Sequence, residues 1–336
     1  MIENAIKILV NKENLDFRTL YDSMNEIMDG VASPVQIAAF LTALKMKGES
    51  VEEIVACAKA MRDKAQKVEI LDEYLVDTCG TGGDVSNTFN ISTCAMFVAA
   101  AAGVKIAKHG NRSITSKCGA ADVLESLGIN INASKEVIEK CIHELGLGFM
   151  FAQRHHGSTK HATPIRKELG FRTIFNILGP LSNPASAKGQ LLGVFDRGLV
   201  KTLAEVLKSL GARHAMVVHG EDGLDEITLT GDTYVAELRE GAITEYRLAP
   251  QKFGFKLCSL KELVGGRPEE NAQILKDILQ GQEGPKTDIV LLNAGAAIYI
   301  GGRAKDLAEG IDLAREGIDS GRAKDILEKM IEYTGG

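Results

Sequence analysis

Apolar residues recur every three to four positions in the first part of the chain, as expected for helices with one buried face. This spacing predicts three helices, over residues 17–28, 33–46 and 50–65. Ser33-Pro34 and Ser50 are typical helix starts, and Gly30 and Gly48 are typical breaks between helices. The chain up to residue 65 is therefore predicted to be helical only.

From Tyr74 onward the pattern changes to strands that alternate with helices. Short apolar runs predict strands at residues 74–77, 104–107, 148–152, 190–195 and 215–219. Helical spacing fills the gaps at residues 121–127, 135–145 and 199–210, and it returns from Glu269 on. This alternation favours a largely parallel sheet covered on both faces, which is an α/β fold. Residues 226–248 instead show short alternating runs separated by turns, which predict antiparallel additions to the sheet.

Length and composition limit the classes of protein that remain. At 336 residues the chain exceeds one average domain, so two domains or a core with an appended lobe are expected. The apolar content of 45% and charged content of 25% are typical of a soluble globular enzyme. A net charge of -6 argues against general nucleic-acid binding, which favours a basic face.

Cysteine usage and the N-terminus bear on the compartment. Six cysteines without a C-x-x-C pair indicate reduced thiols, which are typical of the cytosol. The N-terminus lacks the pattern of a secretory signal, and the longest apolar stretch, residues 94–104, is too short to span a bilayer. We therefore predict a cytoplasmic protein with neither a membrane nor a nucleic acid as partner.

A glycine-rich run follows the first predicted strand. Gly80, Gly82 and Gly83 can take positive φ and let a ligand approach the backbone, because no Cβ intrudes. The unpaired N–H groups of the following helix would attract an anion. Neither the dinucleotide pattern nor the Walker pattern is present, so an ordinary tight turn is the alternative. Polar residues crowd the same run and favour phosphate binding, namely Asp84, Thr88, Asn90, Ser92 and Thr93.

A second polar loop, residues 108–117, follows the strand predicted at residues 104–107. Arg112 can bind a phosphate bidentately, and Lys108 and Lys117 can add positive charge. The alternative is a solvated basic turn. The functional interpretation is favoured because the loop follows an apolar strand, and open α/β sheets bind ligands at the carboxyl ends of their strands. We predict that the two loops line one crevice.

Two adjacent acids, Asp225 and Glu226, follow the strand predicted at residues 215–219. Carboxylates without cysteine or paired histidine suit a hard cation such as Mg²⁺. Acids on a solvated turn are the alternative. Because the pair follows another strand of the same sheet, we predict a Mg²⁺ site that faces the crevice.

A fourth segment holds three histidines with Arg166 and Arg172 on a predicted helix. Its spacing does not fit H-E-x-x-H, which argues against zinc. Arg166 beside an apolar wall would suit a small aromatic carboxylate. For Arg172 the favoured interpretation is an ion pair with Glu168, four residues earlier on the same helix face.

Together these segments resemble the anthranilate phosphoribosyltransferase family. The resemblance is carried, in family order, by residues 80–84, 90–93, 108–112, 172–180 and 222–226. It implies a small α-helical domain (residues 1–70, joined by helices from residues 160–185) and a larger α/β domain (residues 71–336) of the nucleoside phosphorylase/phosphoribosyltransferase-like type. It also implies a homodimer joined through the helical domains.

The resemblance further implies the substrates, the metal and their ligands. Mg²⁺ would bind at Ser92, Asp225 and Glu226, and anthranilate at Gly80, Asn111 and Arg166. The donor, 5-phosphoribosyl 1-diphosphate, would contact the largest set: Gly80, Gly83, Asp84, Thr88, Asn90, Ile91, Ser92, Thr93, Lys108, His109, Gly110, Asn111, Arg112, Ser113, Ile114, Thr115, Ser116 and Ala120.

The expected reaction transfers the phosphoribosyl group to the amine of anthranilate, a step of tryptophan biosynthesis. An aryl amine is neutral at pH 7, so we predict no dedicated general base and only a helper role for His109. Two alternatives stay open. A nucleoside phosphorylase-like enzyme would need no metal pair, and a non-catalytic nucleic-acid-binding relative should show a basic surface.

Overall fold

The computed structural model describes residues 1–84, 86–113 and 117–336. Four helices come first: α1 (Ile2–Val10), α2 (Phe17–Met28), α3 (Pro34–Lys47) and α4 (Val51–Lys64). Ser33 and Ser50 each close a capping box, with Gln36 and Glu53 respectively, so the predicted starts of α3 and α4 are confirmed. Helix α1 was not singled out from the sequence.

Beyond Lys64, strands and helices alternate as predicted. The strands are β1 (Val76–Gly80), β2 (Ile106–Gly110), β3 (Leu147–Phe151), β4 (Gly189–Gly193), β5 (His214–Gly220), β6 (Thr233–Arg239) and β7 (Ala242–Leu248). The helices up to β5 are α5 (Ile91–Ala101), α6 (Ala120–Ser126), α7 (Lys135–Leu145), α8 (Ala152–His155), α9 (Thr163–Leu169), α10 (Phe175–Leu181) and α11 (Leu199–Ser209). The last four helices are α12 (Pro268–Leu279), α13 (Pro285–Ile300), α14 (Leu307–Asp319) and α15 (Arg322–Thr334). Short 3₁₀ helices lie at Gly157–His161, Pro250–Phe253 and Leu260–Leu263.

The seven strands form one sheet in the order β3-β2-β1-β4-β5-β6-β7. The first five strands in that order are parallel, whereas β6 and β7 are added antiparallel. The prediction of antiparallel strands between residues 226 and 248 is therefore confirmed. The parallel order places the carboxyl ends of β1, β2, β4 and β5 on one edge of the sheet.

Strands β1 and β2 each run three residues beyond their predicted ends. The added residues include Thr78, Lys108 and His109, which are buried although polar, as is Asp77 at the predicted end of β1. Burial is tolerated because hydrogen bonds join the two strands: Lys108 donates to the Thr78 carbonyl, and the His109 amide donates to Asp77 Oδ1 at 3.1 Å. A search for apolar runs therefore ends these strands too early.

The hydrophobic core lies in two main clusters on opposite faces of the sheet. One cluster packs α5 and α13 against one face, with Phe97 and Leu291 fully buried. The other joins the N-terminal helices to α10 and α11, with Phe40 and Leu203 fully buried. The N-terminal helices thus share a core with one face of the sheet.

None of the six cysteines forms a disulfide, and all six lie in the described part of the chain. Five of them are buried, and Cys258 is partly exposed. Burial raises the pKa of the Cys57 thiol in α4 and of the Cys94 thiol in α5. Across the described residues no helix is long and apolar enough to cross a membrane.

Candidate active site

Four parallel strands end in glycine at the same edge of the sheet: β1 at Gly80, β2 at Gly110, β4 at Gly193 and β5 at Gly220. The chain around Asp225 occupies the space beside two of them. A Cβ on Gly80 would lie 2.2 Å from Asp225 Oδ2, and a Cβ on Gly193 would lie 1.5 Å from the Asp225 carbonyl oxygen. The acid can sit at the strand ends only because these residues lack side chains.

The glycine-rich turn after β1 folds over this acid. Gly82 and Gly83 both adopt positive φ, at 67° and 80°. The amide of Gly82 donates to Asp225 Oδ2 at 2.7 Å. The turn and the acid pair predicted from separate segments are therefore in direct contact.

Arg172 reaches the same turn, and the predicted ion pair with Glu168 is wrong. Helix α9 ends at Leu169, and Gly170 turns the chain with φ of 69°, so Arg172 does not lie one helical turn beyond Glu168. Its guanidinium donates to the Gly83 carbonyl and stacks 3.9 Å from the centroid of the Phe195 ring.

Asp225 and Glu226 are adjacent, half-buried carboxylates at the strand ends. Burial, together with the charge of Asp84, raises the pKa of Asp225. Burial and the neighbouring charge of Asp225 raise the pKa of Glu226. Glu226 Oε1 accepts the amide of Ser92 at 3.1 Å, at the start of α5. Two acids held together and short of positive charge suit a bound divalent cation.

Lys108 lies beneath this pair rather than in the open crevice. Its side chain is only 2% exposed, and Nζ donates to the Thr78 carbonyl and to Ser92 Oγ at 3.3 Å. Its charge acts to lower the pKa of both Asp225 and Glu226. The structure therefore places Lys108 as a buried partner of the acid pair.

The start of α5 lies at the crevice, but some of its side chains are buried in the core and others bond to neighbouring segments. Ile91 and Thr93 are buried, at 1% exposure each, so their side chains belong to the core. Asn90 does not cap the helix with its side chain; it donates to the Cys118 carbonyl at 3.1 Å and accepts from Asn271 at 2.9 Å. Two amides at the start of α5 are already engaged, since Ile91 donates to the Phe89 carbonyl at 2.8 Å and Ser92 donates to Glu226.

The loop after β2 is held to α6 by charge. Arg112 forms ion pairs of 2.8 Å with Asp122 and 2.9 Å with Glu125, and the Ser113 amide donates to Asp122 at 3.0 Å. Asn111 Oδ1 accepts the Arg112 amide at 2.8 Å. The predicted residues Ile114, Thr115 and Ser116 lie outside the described part of the chain, and Ala120 is the first residue of α6.

Asp84 and Thr88 complete the glycine-rich run. The hydroxyl of Ser86 donates to Asp84 Oδ2 at 2.5 Å and lies 3.4 Å from Thr88 Oγ1. Thr88 also forms an isolated antiparallel bridge with Val264, which ties the run to the chain before α12. The charge of Asp84 acts on Asp225, which places Asp84 near the acid pair.

Histidines line the side of the site formed by α10. His109 Nδ1 lies 3.1 Å from the Gly179 carbonyl, and its ring centroid lies 5.0 Å from that of His156. Within the described residues, Nε2 of each ring is buried without a hydrogen-bond partner. Burial lowers the pKa of both imidazoles, that of His156 to about 4, so both are neutral at pH 7.

Arg166 lies on α9, above the aromatic ring of Phe175 in α10, with 5.1 Å between the guanidinium carbon and the ring centroid. Burial lowers its pKa, because the surroundings are poor in compensating charge. A cation above an apolar surface is the arrangement expected for an aromatic carboxylate ligand.

Three residues at this site were missed from the sequence as site residues. Gly193 admits Asp225, Asp77 fixes the backbone of His109, and Arg172 holds the glycine turn. A glycine inside one predicted strand and an acid at the end of another were visible signals. No local pattern indicated where the side chain of Arg172 would lie, because its position depends on how a loop folds back between distant segments.

Comparison with known proteins defines the class first. The family description "Glycosyl transferase family, a/b domain" matches residues 72–324, and "Glycosyl transferase family, helical bundle domain" matches residues 3–65. The chain therefore has the two parts of that transferase class.

Full-length relatives then define the family. An anthranilate phosphoribosyltransferase of Thermoanaerobacter sp. is 54% identical over 333 residues, which cover 99% of this chain and 98% of that one. The crystal structure of the Thermus thermophilus enzyme is 44% identical, with a TM-score of 0.94 and 99% of both chains covered. A Saccharomyces cerevisiae structure in complex with PRPP and Mg is 30% identical, with a TM-score of 0.91 and 99% and 98% covered. The chain belongs to the anthranilate phosphoribosyltransferase family.

Proposed function

We propose that this chain transfers the phosphoribosyl group of 5-phosphoribosyl 1-diphosphate to the amine of anthranilate. The products would be N-(5-phosphoribosyl)anthranilate and diphosphate, in tryptophan biosynthesis. The observation that carries the proposal is the contact between the glycine turn and the acid pair, through Gly82 and Asp225 at 2.7 Å. This contact places the proposed phosphate-binding turn beside the proposed cation site at one edge of the sheet. Both would stabilise the negative charge of a departing diphosphate.

The donor is proposed to bind along this edge. Backbone amides of the turn after β1 and of the start of α5 would contact its phosphates, and Asp84 and Thr88 lie at the rim. The loop from Lys108 to Ser113 would approach from β2. For Arg112 to reach a phosphate, it would have to exchange its ion pairs with Asp122 and Glu125 for the ligand.

Mg²⁺ is proposed to bind at Ser92, Asp225 and Glu226. The fit rests on two adjacent, half-buried carboxylates whose pKa values are raised, because burial and the neighbouring acids outweigh the charge of Lys108. When bound, Mg²⁺ supplies charge that stabilises the departing diphosphate. Among the described residues no group of three or more His, Cys, Asp or Glu side chains could hold a metal ion, so the proposed protein ligands are two carboxylates and one hydroxyl.

Anthranilate is proposed to bind between the two parts of the protein, with its carboxylate near Arg166 and its ring against Phe175. Asn111 and Gly80 lie toward the donor side of this region. Placing both substrates in one crevice would account for much of the rate enhancement, because it turns a bimolecular step into one within a complex.

No general base is proposed. The aryl amine attacks as a neutral group, and the buried neutral His109 can at most accept a hydrogen bond at Nε2. A His109→Gln variant is therefore expected to lose less than the roughly 100-fold that removal of a general base costs at minimum. Steady-state kcat with both substrates saturating measures this loss. A loss well above 100-fold would make His109 a catalytic base.

A homodimer and a cytoplasmic location are also proposed. Helix α3 exposes Val35 at 78% and Met46 at 77%, eleven positions apart on one helix face, with the half-buried Thr42 between them. An unpaired apolar stripe of this kind suits a second copy of the chain. Six cysteines without a disulfide support a reducing compartment. We further propose two domains, residues 1–70 with helices from residues 160–185, and residues 71–336.

The first experiment follows the fluorescence of anthranilate on addition of 5-phosphoribosyl 1-diphosphate, with Mg²⁺ or with excess EDTA. Fluorescence is expected to fall only when donor and Mg²⁺ are both present. Binding of the donor without consumption of anthranilate would instead identify a different acceptor. The chain contains no tryptophan, so protein emission would not obscure the signal.

A further inference from the structure

Arg172 lies in the short connection between α9 and α10. Gly170 ends α9 in the left-handed region, and Thr173 begins the next segment with its amide bonded to Asn176 Oδ1 at 2.9 Å. This connection packs with the N-terminal helices, through Ile174 and Phe175 in the same core cluster. The side chain of Arg172 nevertheless extends across to the sheet edge.

Three contacts join this connection to the glycine turn after β1. Arg172 Nη2 donates to the Gly83 carbonyl at 2.5 Å, and its guanidinium stacks on Phe195 with 3.9 Å between the guanidinium carbon and the ring centroid. The amide of Phe195 donates in turn to Thr81 Oγ1 at 3.0 Å. Arg172 and Phe195 therefore hold Gly83 and Thr81, whereas Asp225 holds Gly82.

The turn depends on contacts of this kind. Gly82 and Gly83 both adopt positive φ and have no side chains of their own to fix them. The Gly82 amide is held by Asp225, and the Gly83 carbonyl is held by Arg172. Without Arg172, the turn would sample more conformations, and only a fraction of molecules would be ready to bind a ligand there.

We propose that Arg172 is a positioning residue for the donor: it holds the Gly82–Gly83 turn in its binding conformation and joins it to the segment that carries Arg166. The proposal rests on the function proposed above, because it takes this turn as the donor site. Arg172 need not touch either substrate. Its loss should weaken donor binding, while kcat at saturating donor should change little.

The test compares Arg172→Ala with Arg197→Ala. Arg197 is a matched control, since it stacks on Tyr234 at 3.8 Å and contacts no part of the turn. Arg172→Ala is expected to raise the KM for 5-phosphoribosyl 1-diphosphate about tenfold, as loss of a hydrogen bond from a charged group commonly does. The KM for anthranilate and kcat should stay within about twofold of wild type, as should all constants of Arg197→Ala.

A second measurement does not depend on turnover. Hydrogen exchange of the amides at residues 81–84, without substrates, should be faster in Arg172→Ala than in wild type or Arg197→Ala. Arg172→Lys, which keeps a charged donor but lacks the planar group that stacks, should fall between wild type and Arg172→Ala in donor KM.

Equal donor KM and equal exchange for Arg172→Ala and Arg197→Ala would overturn the proposal. A parallel fall in kcat and in thermal stability, with donor KM unchanged, would also overturn it, because that pattern indicates a structural role. If wild-type protein itself showed no donor-dependent turnover, the proposed function would fail instead. The two failures are therefore distinguishable.

Discussion

Asp225 occupies space that a side chain at Gly80 or Gly193 would need: its carboxyl group lies beside Gly80, and its backbone carbonyl lies beside Gly193. Single glycines therefore decide whether the acid pair reaches the strand ends at all. The neighbouring polar residues are packed as tightly: Asp77, Lys108 and His109 are each buried and bonded within the strand ends. At the residue scale, the site depends on the absence of side chains at the strand ends as much as on its charged groups.

Gly193→Ala is expected to displace Asp225, because the new Cβ would lie 1.5 Å from its carbonyl oxygen. Overpacking of this kind costs at least about 1–3 kcal/mol of unfolding free energy. Urea unfolding measures the loss, and the Mg²⁺ concentration for half-maximal activity should rise. Gly231→Ala is the control, since the nearest atom to its Cβ would be 3.4 Å away. Equal stability of the two variants would refute the steric argument.

The acid pair predicts how stability depends on pH in metal-free protein. Both carboxyl pKa values are raised in the folded state, so folded protein retains protons that the unfolded chain has released. The pair's contribution is therefore fully present below the unfolded pKa of about 4 and is lost as pH rises through the raised values.

Glu226→Gln tests this dependence, because it removes one of the two charges. The variant should become more stable than wild type as pH rises in EDTA, by on the order of 1 kcal/mol for each pKa unit of the original shift. Mg²⁺ should stabilise wild type more at high pH than at low pH, and stabilise the variant less. Urea unfolding at several pH values measures both effects. A stability difference that does not vary with pH would contradict the explanation.

At the scale of elements, the short helix α9 carries Arg166, which is proposed to bind the carboxylate of anthranilate. Arg166 faces Phe175 of α10, whereas the next residue, Lys167, is exposed. Helix α10 also supplies the Gly179 carbonyl to His109. The proposed acceptor side of the site thus lies on two helices that pack with the N-terminal core.

Arg166→Ala should raise the KM for anthranilate by about ten- to a hundredfold, since a hydrogen-bonded charge pair is lost. The KM for the donor should change much less. Lys167→Ala removes the same charge one position away and serves as the control. Initial rates with each substrate varied in turn distinguish the two constants. Equal effects on both KM values would place Arg166 outside the acceptor site.

Element types were predictable from the sequence, whereas element ends at the site were not. The alternation of strands and helices gave the parallel sheet, and turn residues gave the antiparallel pair β6 and β7. Strands β1 and β2 were ended early because their last residues are polar, and polarity was taken to mean exposure. Tertiary hydrogen bonds from the His109 amide to Asp77 and from Lys108 to the Thr78 carbonyl reverse that inference, and no local pattern encodes them.

At the scale of the whole molecule, the N-terminal helices have a buried inner side and an exposed outer side. Their inner side shares a core with α11 and the sheet, and the outer stripe of α3 is exposed. Local sequence predicted the glycine turn, the acid pair and Arg166, because each is a cluster of unusual residues. The path of Arg172 to Gly83 could not be predicted, since it joins residues 89 positions apart in sequence.

Val35→Glu is expected to convert the proposed dimer to monomer, because it places a charge within the proposed apolar interface. Light scattering after size exclusion measures the mass. Leu71→Glu is the control, since Leu71 is fully exposed and lies beyond the N-terminal helices. A wild-type monomer, or a dimer unaffected by Val35→Glu, would show that this face of α3 is not the interface.

The buried cysteines provide internal reporters of local opening. Cys57 lies in an N-terminal helix, Cys94 in the helix beneath the glycine turn, and Cys141 in α7 on the outer layer. A thiol with a raised pKa and no solvent contact reacts with a labelling reagent only after its surroundings open. The order in which the three are modified, read by mass spectrometry, would therefore report which layer opens first, and whether substrates slow one layer without slowing the others.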